Sequence, residues 1–214
     1  MEGSKAVTFL KGVKNIIFSA HPNLVWNLPH PRNTVYLTFD DGPYPEITCK
    51  VLKILNHYHV SATFFLSGHQ IDQFSLQLKK LKYDGHSLGN HSYYHNPLFL
   101  KSKKVLMQEI SVTDSLIYKF FNQNVNLFRP PYGIWGPGLC HILNKMGKDL
   151  ILWSLMSNDF KWPPKKCEEY LKKNLQPGDI IVFHDSPVSN HTVIDVLPKF
   201  IEFCLIENYE FRIF

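Results

Sequence analysis

The sequence of 214 residues has no long apolar run, no paired-cysteine motif and no glycine or proline period. No stretch approaches the roughly 18 consecutive apolar residues that identify a membrane-spanning helix. Its 11 glycines and 14 prolines are scattered, which excludes collagen-like and mucin-like chains. None of the 4 cysteines forms a C-x-x-C pair, and a chain of this length needs no disulfide bridges, so reduced cysteines are expected. These absences leave one soluble, globular domain.

Charge is also scarce, because charged residues make up 19% of the chain and hydrophobic residues 44%. This is the balance of a folded domain and excludes a disordered chain. The chain has 23 Lys and Arg against 18 Asp and Glu, a formal net charge of +5. The lysines occur in short groups beside helical patterns, without a zinc-finger spacing or an RNA-binding aromatic signature. We therefore expect a solvated helical exterior and no nucleic-acid partner.

Residues 1–33 are expected to form an N-terminal extension ahead of a main domain of residues 34–214. Lys11 and Lys14 interrupt the apolar residues of the extension, which makes it a poor signal-peptide core. We predict an amphipathic helix packed on the domain, with peripheral contact to a membrane surface as the alternative. Without a convincing export signal, the chain is expected to be cytoplasmic.

From residue 34 onward, seven β-type runs alternate with helical patterns. The β-type runs are 34–39, 61–66, 86–89, 127–128, 150–153, 179–183 and 209–213. The helical patterns are 46–58, 71–83, 102–121, 137–146, 163–175 and 192–207. This alternation predicts parallel strands joined by crossover helices in an α/β domain.

Polar residues follow the carboxyl ends of five of the predicted strands. They are Asp40-Asp41, Asn90-His91, Arg129, Asn158-Asp159 and His184-Asp185. In a β/α barrel all strand ends meet on one face, whereas an open sheet brings together only those beside its switch point. The sequence therefore predicts a single-domain, distorted and incomplete (β/α)7 TIM-like barrel.

A candidate metal site comes from two short motifs. His91 and His95 are four residues apart, a spacing that on a helical turn brings both imidazoles to one cation. Among 11 histidines such a pair also arises by chance, so a third ligand is needed. Asp40 and Asp41 supply two carboxylates, and a cation on one with an arginine near the other relieves their repulsion. Two histidines and one carboxylate leave a coordination position open for water.

Two further motifs carry polar groups, each with a structural alternative. Arg129–Gly133 reads Arg-Pro-Pro-Tyr-Gly, a stiff loop that either is a structural turn or holds the arginine and a backbone N–H in place. His184 follows an apolar run and is either a hydrogen-bonded histidine at the barrel rim or a general acid. Asp159 either caps a loop or orients that histidine and keeps it protonated.

Taken together and in this order, the motifs resemble those of the polysaccharide deacetylases. This is the chitin-deacetylase or NodB-homology group, also called carbohydrate esterase family four. The resemblance covers residues 34–214 and rests on five motifs. They are Thr38–Gly42, His91–His95, Arg129–Gly133, Ser157–Phe160 and Val182–Asp185.

The resemblance implies one divalent metal ion, typically zinc, bound by Asp41, His91 and His95. It also implies that Asp40 is the general base that deprotonates water and that Arg129 holds Asp40 in place.

The same resemblance implies roles at the other end of the scissile bond. His184 would be the general acid that protonates the departing amine, oriented by Asp159. The backbone N–H of Tyr132 would help to stabilise the oxyanion, and Val182 would line the pocket for the acetyl methyl group.

Two positions depart from the family pattern without removing a chemical group that the mechanism needs. Phe160 stands where the fourth motif has tryptophan, and Trp162 is expected to fill the same apolar wall. Ser92 stands where threonine is commoner in the second motif. Four aromatic residues near the motif loops are candidates for stacking on sugar rings. They are Tyr94, Tyr132, Trp135 and Trp162.

The expected activity is hydrolysis of an acetamide on N-acetylhexosamine units of a peptidoglycan-type or chitin-type glycan, which releases acetate. One alternative is a metal-dependent amidase that acts on a small non-sugar amide or ureide. The other is a catalytically silent glycan-binding module, although a pure binder has no need of a paired base and acid.

Overall fold

A computed structural model of the chain describes residues 23–28 and 32–214. Nine strands are present among them: β1 Leu24–Val25, β2 Thr34–Asp40, β3 Thr63–Leu66, β4 Ser87–Asn90, β5 Leu127–Phe128, β6 Asp149–Ile151, β7 Leu155–Met156, β8 Ile180–His184 and β9 Glu210–Phe211. The α-helices are α1 Pro45–His57, α2 Gly68–Gln73, α3 Lys103–Phe121, α4 Pro137–Lys145, α5 Pro164–Asn174 and α6 Asn190–Ile206. Short 3-10 turns lie at Leu78–Lys80, Leu98–Leu100 and Pro131–Gly133.

The strands form a curled parallel sheet in the order β1-β6-β5-β4-β3-β2-β8-β7. Every strand pair in this order is parallel, and β9 pairs with the first residues of β2. Within the described residues β1 and β7 are the two ends of the order, so the barrel stays open between them. The predicted single α/β domain with a distorted, incomplete TIM-like barrel is therefore confirmed.

Two strands of the sheet were not predicted from the sequence. Leu24–Val25 lie within the predicted extension but pair with Leu150–Ile151 of β6, and Leu155–Met156 pair with β8. Asp159 consequently follows β7 and not the strand predicted over 150–153. Leu24–Val25 and Leu155–Met156 are too short to show a periodicity, and it is their pairing in the sheet that defines them.

The helix predicted over 71–83 is wrong beyond its first residues. The helix α2 ends at Gln73, and Leu78–Lys80 form a separate 3-10 turn. Ile71 and Leu78 are buried, but Leu76 between them is 95% exposed. The chain leaves the core between two buried anchors, which an apolar count along the sequence does not show.

Alternation along β2 separates two apolar layers and positions the site. Val35, Leu37 and Phe39 face the helices α1 and α6, in the larger core cluster. The residues between them point into the curl of the sheet, where Tyr36 packs with residues of β3, β5, β6 and β8. The inner row continues to Asp40 at the carboxyl end of the strand, so its side chain lies at the mouth of the barrel.

The four cysteines form no disulfide. No helix among the described residues is long and apolar enough to cross a membrane. The predicted N-terminal helix and its membrane contact fall on residues outside the described ranges, apart from 23–28, and stay predictions.

Candidate active site

The five sequence motifs meet at one mouth of the barrel, around a cavity of about 350 Å3. They follow β2, β4, β5, β7 and β8, whose carboxyl ends point the same way because the strands are parallel. The cavity is lined by Asp40, Asp41, His91, His95, Tyr132, Trp153, Met156, Phe160, His184, Ser186 and Val188.

Arg129 is a fully buried cation that fixes Asp40. Its Nη1 donates to Asp40 Oδ1 at 2.7 Å and to Thr38 Oγ1 at 2.7 Å. Nε and Nη2 donate to the carbonyl oxygens of Ile151 and Leu152 at 3.2 and 2.9 Å. Burial lowers the pKa of Arg129, and the adjacent Asp40 counters part of that effect. With Oδ1 of Asp40 bound to the arginine, Oδ2 is the oxygen left for chemistry.

Two aromatic rings also lie near the guanidinium of Arg129. Its guanidinium lies 4.1 Å from the ring centre of Phe65 and 5.7 Å from that of Trp153. A Cβ atom at Gly133 would come within 2.6 Å of Trp153, so glycine is required where this loop crosses the indole. The arginine therefore has one orientation, set before any substrate binds.

Asp41, His91 and His95 form a set of three donors that fits a divalent cation. One ligand atom from each lies within 4.8 Å of the other two. Asp41 Oδ1 is 3.1 Å from His95 Nε2 and 3.7 Å from His91 Nε2, and this buried oxygen accepts no well-directed hydrogen bond. His91 Nδ1 lies 2.8 Å from the Arg129 carbonyl, which only accepts, so the proton is on Nδ1 and Nε2 is free for a metal.

Electrostatics favour the ligand forms of these side chains. Burial lowers the pKa of His91, so its imidazole stays neutral despite the nearby Asp40. Burial opposes the charged form of Asp41, but His95, His184 and His91 outweigh it and hold the pKa of that carboxyl below its usual range. A neutral imidazole and an ionised carboxylate are the forms that bind metal.

The segment from His91 to His95 is a loop, and the helical turn assumed for it is wrong. Ser92 and His95 both have left-handed backbone, with φ of 66° and 54°. The loop is bonded to the start of α2, where Gly68 N and His69 N donate to the carbonyls of Ser92 and Tyr93 at 3.0 Å each. Two left-handed residues, and not helical periodicity, bring the two imidazoles together.

His184 and Asp159 form a second charged pair at the cavity. His184 Nδ1 lies 2.7 Å from Asp159 Oδ1, and the backbone N–H of His184 donates to Asp159 Oδ2 at 2.8 Å. Burial alone would lower the pKa of His184, but the hydrogen bond and charge of Asp159 raise it to about 9. His184 is therefore protonated at neutral pH, with Nδ1 occupied and Nε2 left to donate.

The remaining residues predicted for the pocket are placed unevenly. Tyr132 lines the cavity with φ of 62° and its ring centre 4.8 Å from that of His95. Phe160 lines it as well, with its ring edge-on to His184 at 5.2 Å. Val182 is fully buried on the inner face of β8, two residues before His184, and does not line the cavity.

Trp162 does not form the predicted wall of the pocket. Its ring packs edge-on against Tyr170 at 5.1 Å, at the start of α5. Trp153, from a neighbouring strand end, lines the cavity instead. Of the stacking candidates, Trp135 lines a separate groove with Ile134 and Leu139, and Tyr94 does not line the catalytic cavity either.

Asp185 is a buried carboxylate to which sequence reasoning gave no role, although it ends the fifth motif. It accepts hydrogen bonds from Thr48 Oγ1 and, at 3.2 Å, from Gly42 N. Burial raises its pKa to about 7. A Cβ atom at Gly42 would lie 2.4 Å from this carboxylate, so the turn after Asp41 can approach Asp185 only as glycine.

The fold and site together define a hydrolase-type centre, in which three metal donors, a buried carboxylate and a protonated histidine share one cavity. Residues 27–151 match the family model described as polysaccharide deacetylase. The chain belongs to the polysaccharide deacetylase family.

Relatives and solved structures agree with this assignment. The chain is 31% identical over 158 residues to a chitooligosaccharide deacetylase of Azorhizobium caulinodans, over 72% of this chain and 74% of the relative. It is 29% identical over 194 residues to a peptidoglycan-N-acetylglucosamine deacetylase of Bacillus cereus, over 88% and 89% of the two chains. The crystal structure of the Bc1960 peptidoglycan N-acetylglucosamine deacetylase superposes with a TM-score of 0.85 at 27% identity, over 89% of this chain and 90% of that one.

Proposed function

We propose that the chain hydrolyses the N-acetyl group of N-acetylhexosamine units in a peptidoglycan-type or chitin-type glycan, releasing acetate and leaving a free amine. The observation that carries the proposal is that one cavity brings together Asp40, held by Arg129, the protonated His184 and the three metal donors. All the residues to which the proposal gives a role lie within 34–214, which we propose as the catalytic domain.

Asp41, His91 and His95 would hold the divalent cation, and we propose zinc because two imidazoles and one carboxylate are a known catalytic zinc set. When bound, such a cation lowers the pKa of water and polarises a carbonyl group. The donor geometry fits this use, because Asp41 Oδ1 is buried without a well-directed hydrogen bond and His91 offers Nε2.

Asp40 acts as the general base. Its Oδ1 is held by Arg129, and its Oδ2 accepts the proton of the water that attacks the acetyl carbonyl carbon. Because the arginine also keeps the carboxylate oriented, no rearrangement is needed at the moment of attack. The backbone N–H of Tyr132, at the cavity edge, is proposed to donate to the oxygen that becomes negative.

His184 acts as the general acid. Its Nε2 donates a proton to the amide nitrogen as the carbon–nitrogen bond breaks, so the amine departs neutral and acetate forms. Asp159 holds the imidazolium in position and keeps it protonated. Phe160, which lines the cavity, is proposed to form part of the apolar side of the acetyl site.

The decisive experiment measures acetate release from a panel of N-acetylated glycans, with and without a chelator. Asp40→Asn is expected to bind zinc like the wild type but to lose activity by about 10²–10⁴-fold, because the general base is gone. His91→Ala is expected to lose zinc as well as activity, since a metal ligand is removed.

The proposal has clear contrary outcomes. Undiminished activity of Asp40→Asn would remove Asp40 as the base, and normal zinc content of His91→Ala would overturn the ligand set. Hydrolysis of small amides without release from any sugar would favour an amidase. Glycan binding without hydrolysis would favour a silent binding module.

A further inference from the structure

The helix α3 contacts the metal-binding loop, defined here as residues 90–95, through charged side chains that line no part of the catalytic cavity. Asn90 is fully buried, and its Nδ2 donates to the Ile110 carbonyl at 2.8 Å and to Asp114 Oδ1 at 2.7 Å. Asn90 Oδ1 accepts from Ser92 N at 2.8 Å. Asp114 in turn pairs with the buried Lys148 at 2.8 Å. The first residues of the loop are thus tied to the helix.

A second tie goes through Glu109. This carboxylate is 8% exposed, and its Oε2 accepts from Ser92 Oγ at 2.8 Å. Its other oxygen, Oε1, pairs with the ammonium group of Lys101. A buried carboxylate without a cation would be costly, so Lys101 makes the burial of Glu109 tolerable.

Glu109 therefore joins two points of the chain on either side of His95. Ser92 lies three residues before His95, Lys101 lies six residues after it, and both bind the same carboxylate. The side chain of His95 is 32% exposed, whereas that of His91 is 2% exposed and bonded to the Arg129 carbonyl. The position of the His95 imidazole consequently depends more on the bridge that Glu109 makes between Ser92 and Lys101 than the position of the His91 imidazole does.

The backbone of the loop needs such a restraint. Ser92 and His95 both adopt left-handed φ, which is uncommon for residues other than glycine. Strained backbone of this kind persists only where surrounding contacts over-determine it. Outer contacts that orient metal ligands typically change metal affinity by about 10–100-fold when they are removed.

We propose that Glu109, paired with Lys101, is a positioning residue that presets His95 for metal binding by closing the segment from Ser92 to Lys101. The inference rests on the proposed function only in taking Asp41, His91 and His95 as the metal ligands. Glu109 touches neither the metal donors nor the substrate cavity, so it acts through Ser92 and the loop.

The test measures the zinc Kd of metal-free protein by competition with a chromophoric chelator, alongside thermal unfolding in EDTA. Glu109→Ala is expected to raise the zinc Kd about 10–100-fold, because the segment is released. Glu109→Gln keeps an acceptor for Ser92 Oγ but loses the charge that holds Lys101, so a smaller rise is expected. Lys101→Met, which leaves the Ser92 contact, is expected to resemble Glu109→Gln.

A matched control distinguishes the loss of His95 positioning from a general loss of protein stability. Glu168→Gln removes a carboxylate that pairs with Lys172 at 2.7 Å on α5, away from the loop, and should leave the zinc Kd unchanged. At saturating zinc, Glu109→Gln is expected to recover wild-type kcat and KM, since the chemical groups are intact.

A zinc Kd within twofold of wild type in both Glu109→Gln and Lys101→Met would overturn the inference, and these milder variants serve if Glu109→Ala fails to fold. An equal rise in Glu168→Gln would also overturn it. If the wild type binds zinc but releases no acetate, the proposed function fails while the comparison of zinc Kd values still decides the role of Glu109.

Discussion

The floor and the rim of the catalytic cavity are built in opposite ways. The floor is defined here as Asp40 and His91, which line the cavity, together with Arg129 and Asp159, which are buried behind it and hold Asp40 and His184. The four residues are 3%, 1%, 0% and 1% exposed, in the order Asp40, His91, Arg129 and Asp159. The rim consists of Tyr132, Phe160 and Val188, which are 58%, 40% and 74% exposed. Every charged group of the floor has a directed partner, whereas the rim contributes exposed apolar surface.

This difference assigns different tasks to the two regions. The floor is fixed by hydrogen bonds in a water-poor environment, where preorganised charges stabilise a transition state most strongly. The rim lies on loops after β5, β7 and β8, where side chains are free to change without disturbing the buried charges. We therefore expect the floor to set the reaction and the rim to set which sugar is accepted.

The largest loss of stability and activity is expected when Arg129, the cation of the floor, is replaced. Arg129→Met leaves Asp40 as a buried, unpaired carboxylate, which costs about 3–5 kcal/mol of stability. Activity should fall by at least about 100-fold, because the base loses its orientation. Urea unfolding and acetate release measure the two effects.

A control for this change lies on the surface. Arg212→Met removes a cation whose partner Glu210 is 3.4 Å away and partly exposed, and a change of at most about 1 kcal/mol is expected. If Arg129→Met unfolds at the same urea concentration as the wild type, the stability of the floor does not depend on the pairing of Arg129 with Asp40.

A smaller effect is expected from Asp159→Asn, which keeps the shape of the floor and removes one charge. Without Asp159, burial should lower the pKa of His184 from about 9 towards or below its ordinary value of 6.5. The alkaline limb of the kcat/KM profile should then move to lower pH. A pH–rate profile and an NMR titration of the imidazole measure this shift.

Stability gives an independent check with a defined sign. In the wild type the pKa of His184 is raised in the folded state, so its contribution to stability is full below about 6.5 and is lost as the pH rises through about 9. Asp159→Asn should flatten the stability curve over that interval. An unchanged alkaline limb together with an unchanged stability curve would show that Asp159 does not control the proton on His184.

The smallest loss of activity is expected from a substitution at the rim. Phe160→Ala removes an exposed ring that stands edge-on to His184, so KM should rise several-fold while kcat changes little. The pH profile should keep its wild-type limbs because Asp159 remains. A large fall in kcat would place Phe160 with the floor and blur the distinction between the two regions.

How far the site was predictable depends on the distance along the chain between the residues concerned. Each motif is a short segment at a strand end, so the types and order of the polar residues were visible in the sequence. The nearness of Trp162 to Phe160 in the chain predicts that it forms the apolar wall, but Trp153 and Met156 line the cavity instead of Trp162. Proximity in sequence does not report which strand end is the neighbour across the barrel.

The shape of the metal-binding loop shows the same limit in the backbone. The spacing of His91 and His95 indicated a shared cation, but the helical turn used to explain it is absent. Left-handed φ at Ser92 and His95 carries little sequence signal, because neither residue is glycine. Contacts from α2 and α3 hold that backbone, and they arise only after folding.

The sequence by itself determined the alternation of strands and helices and the donor types for a metal, because these depend on local periodicity and residue chemistry. The resemblance of its motifs to the family added the acid and base candidates. The tertiary structure decided which Asp40 oxygen is free, which His91 nitrogen is free, and the charge carried by His184. It also placed Trp153 in the cavity wall, Asp185 against the turn after Asp41, and Glu109 against the metal-binding loop. These properties depend on burial and on partners distant in the chain, which are defined only when the parallel strands bring their carboxyl ends together.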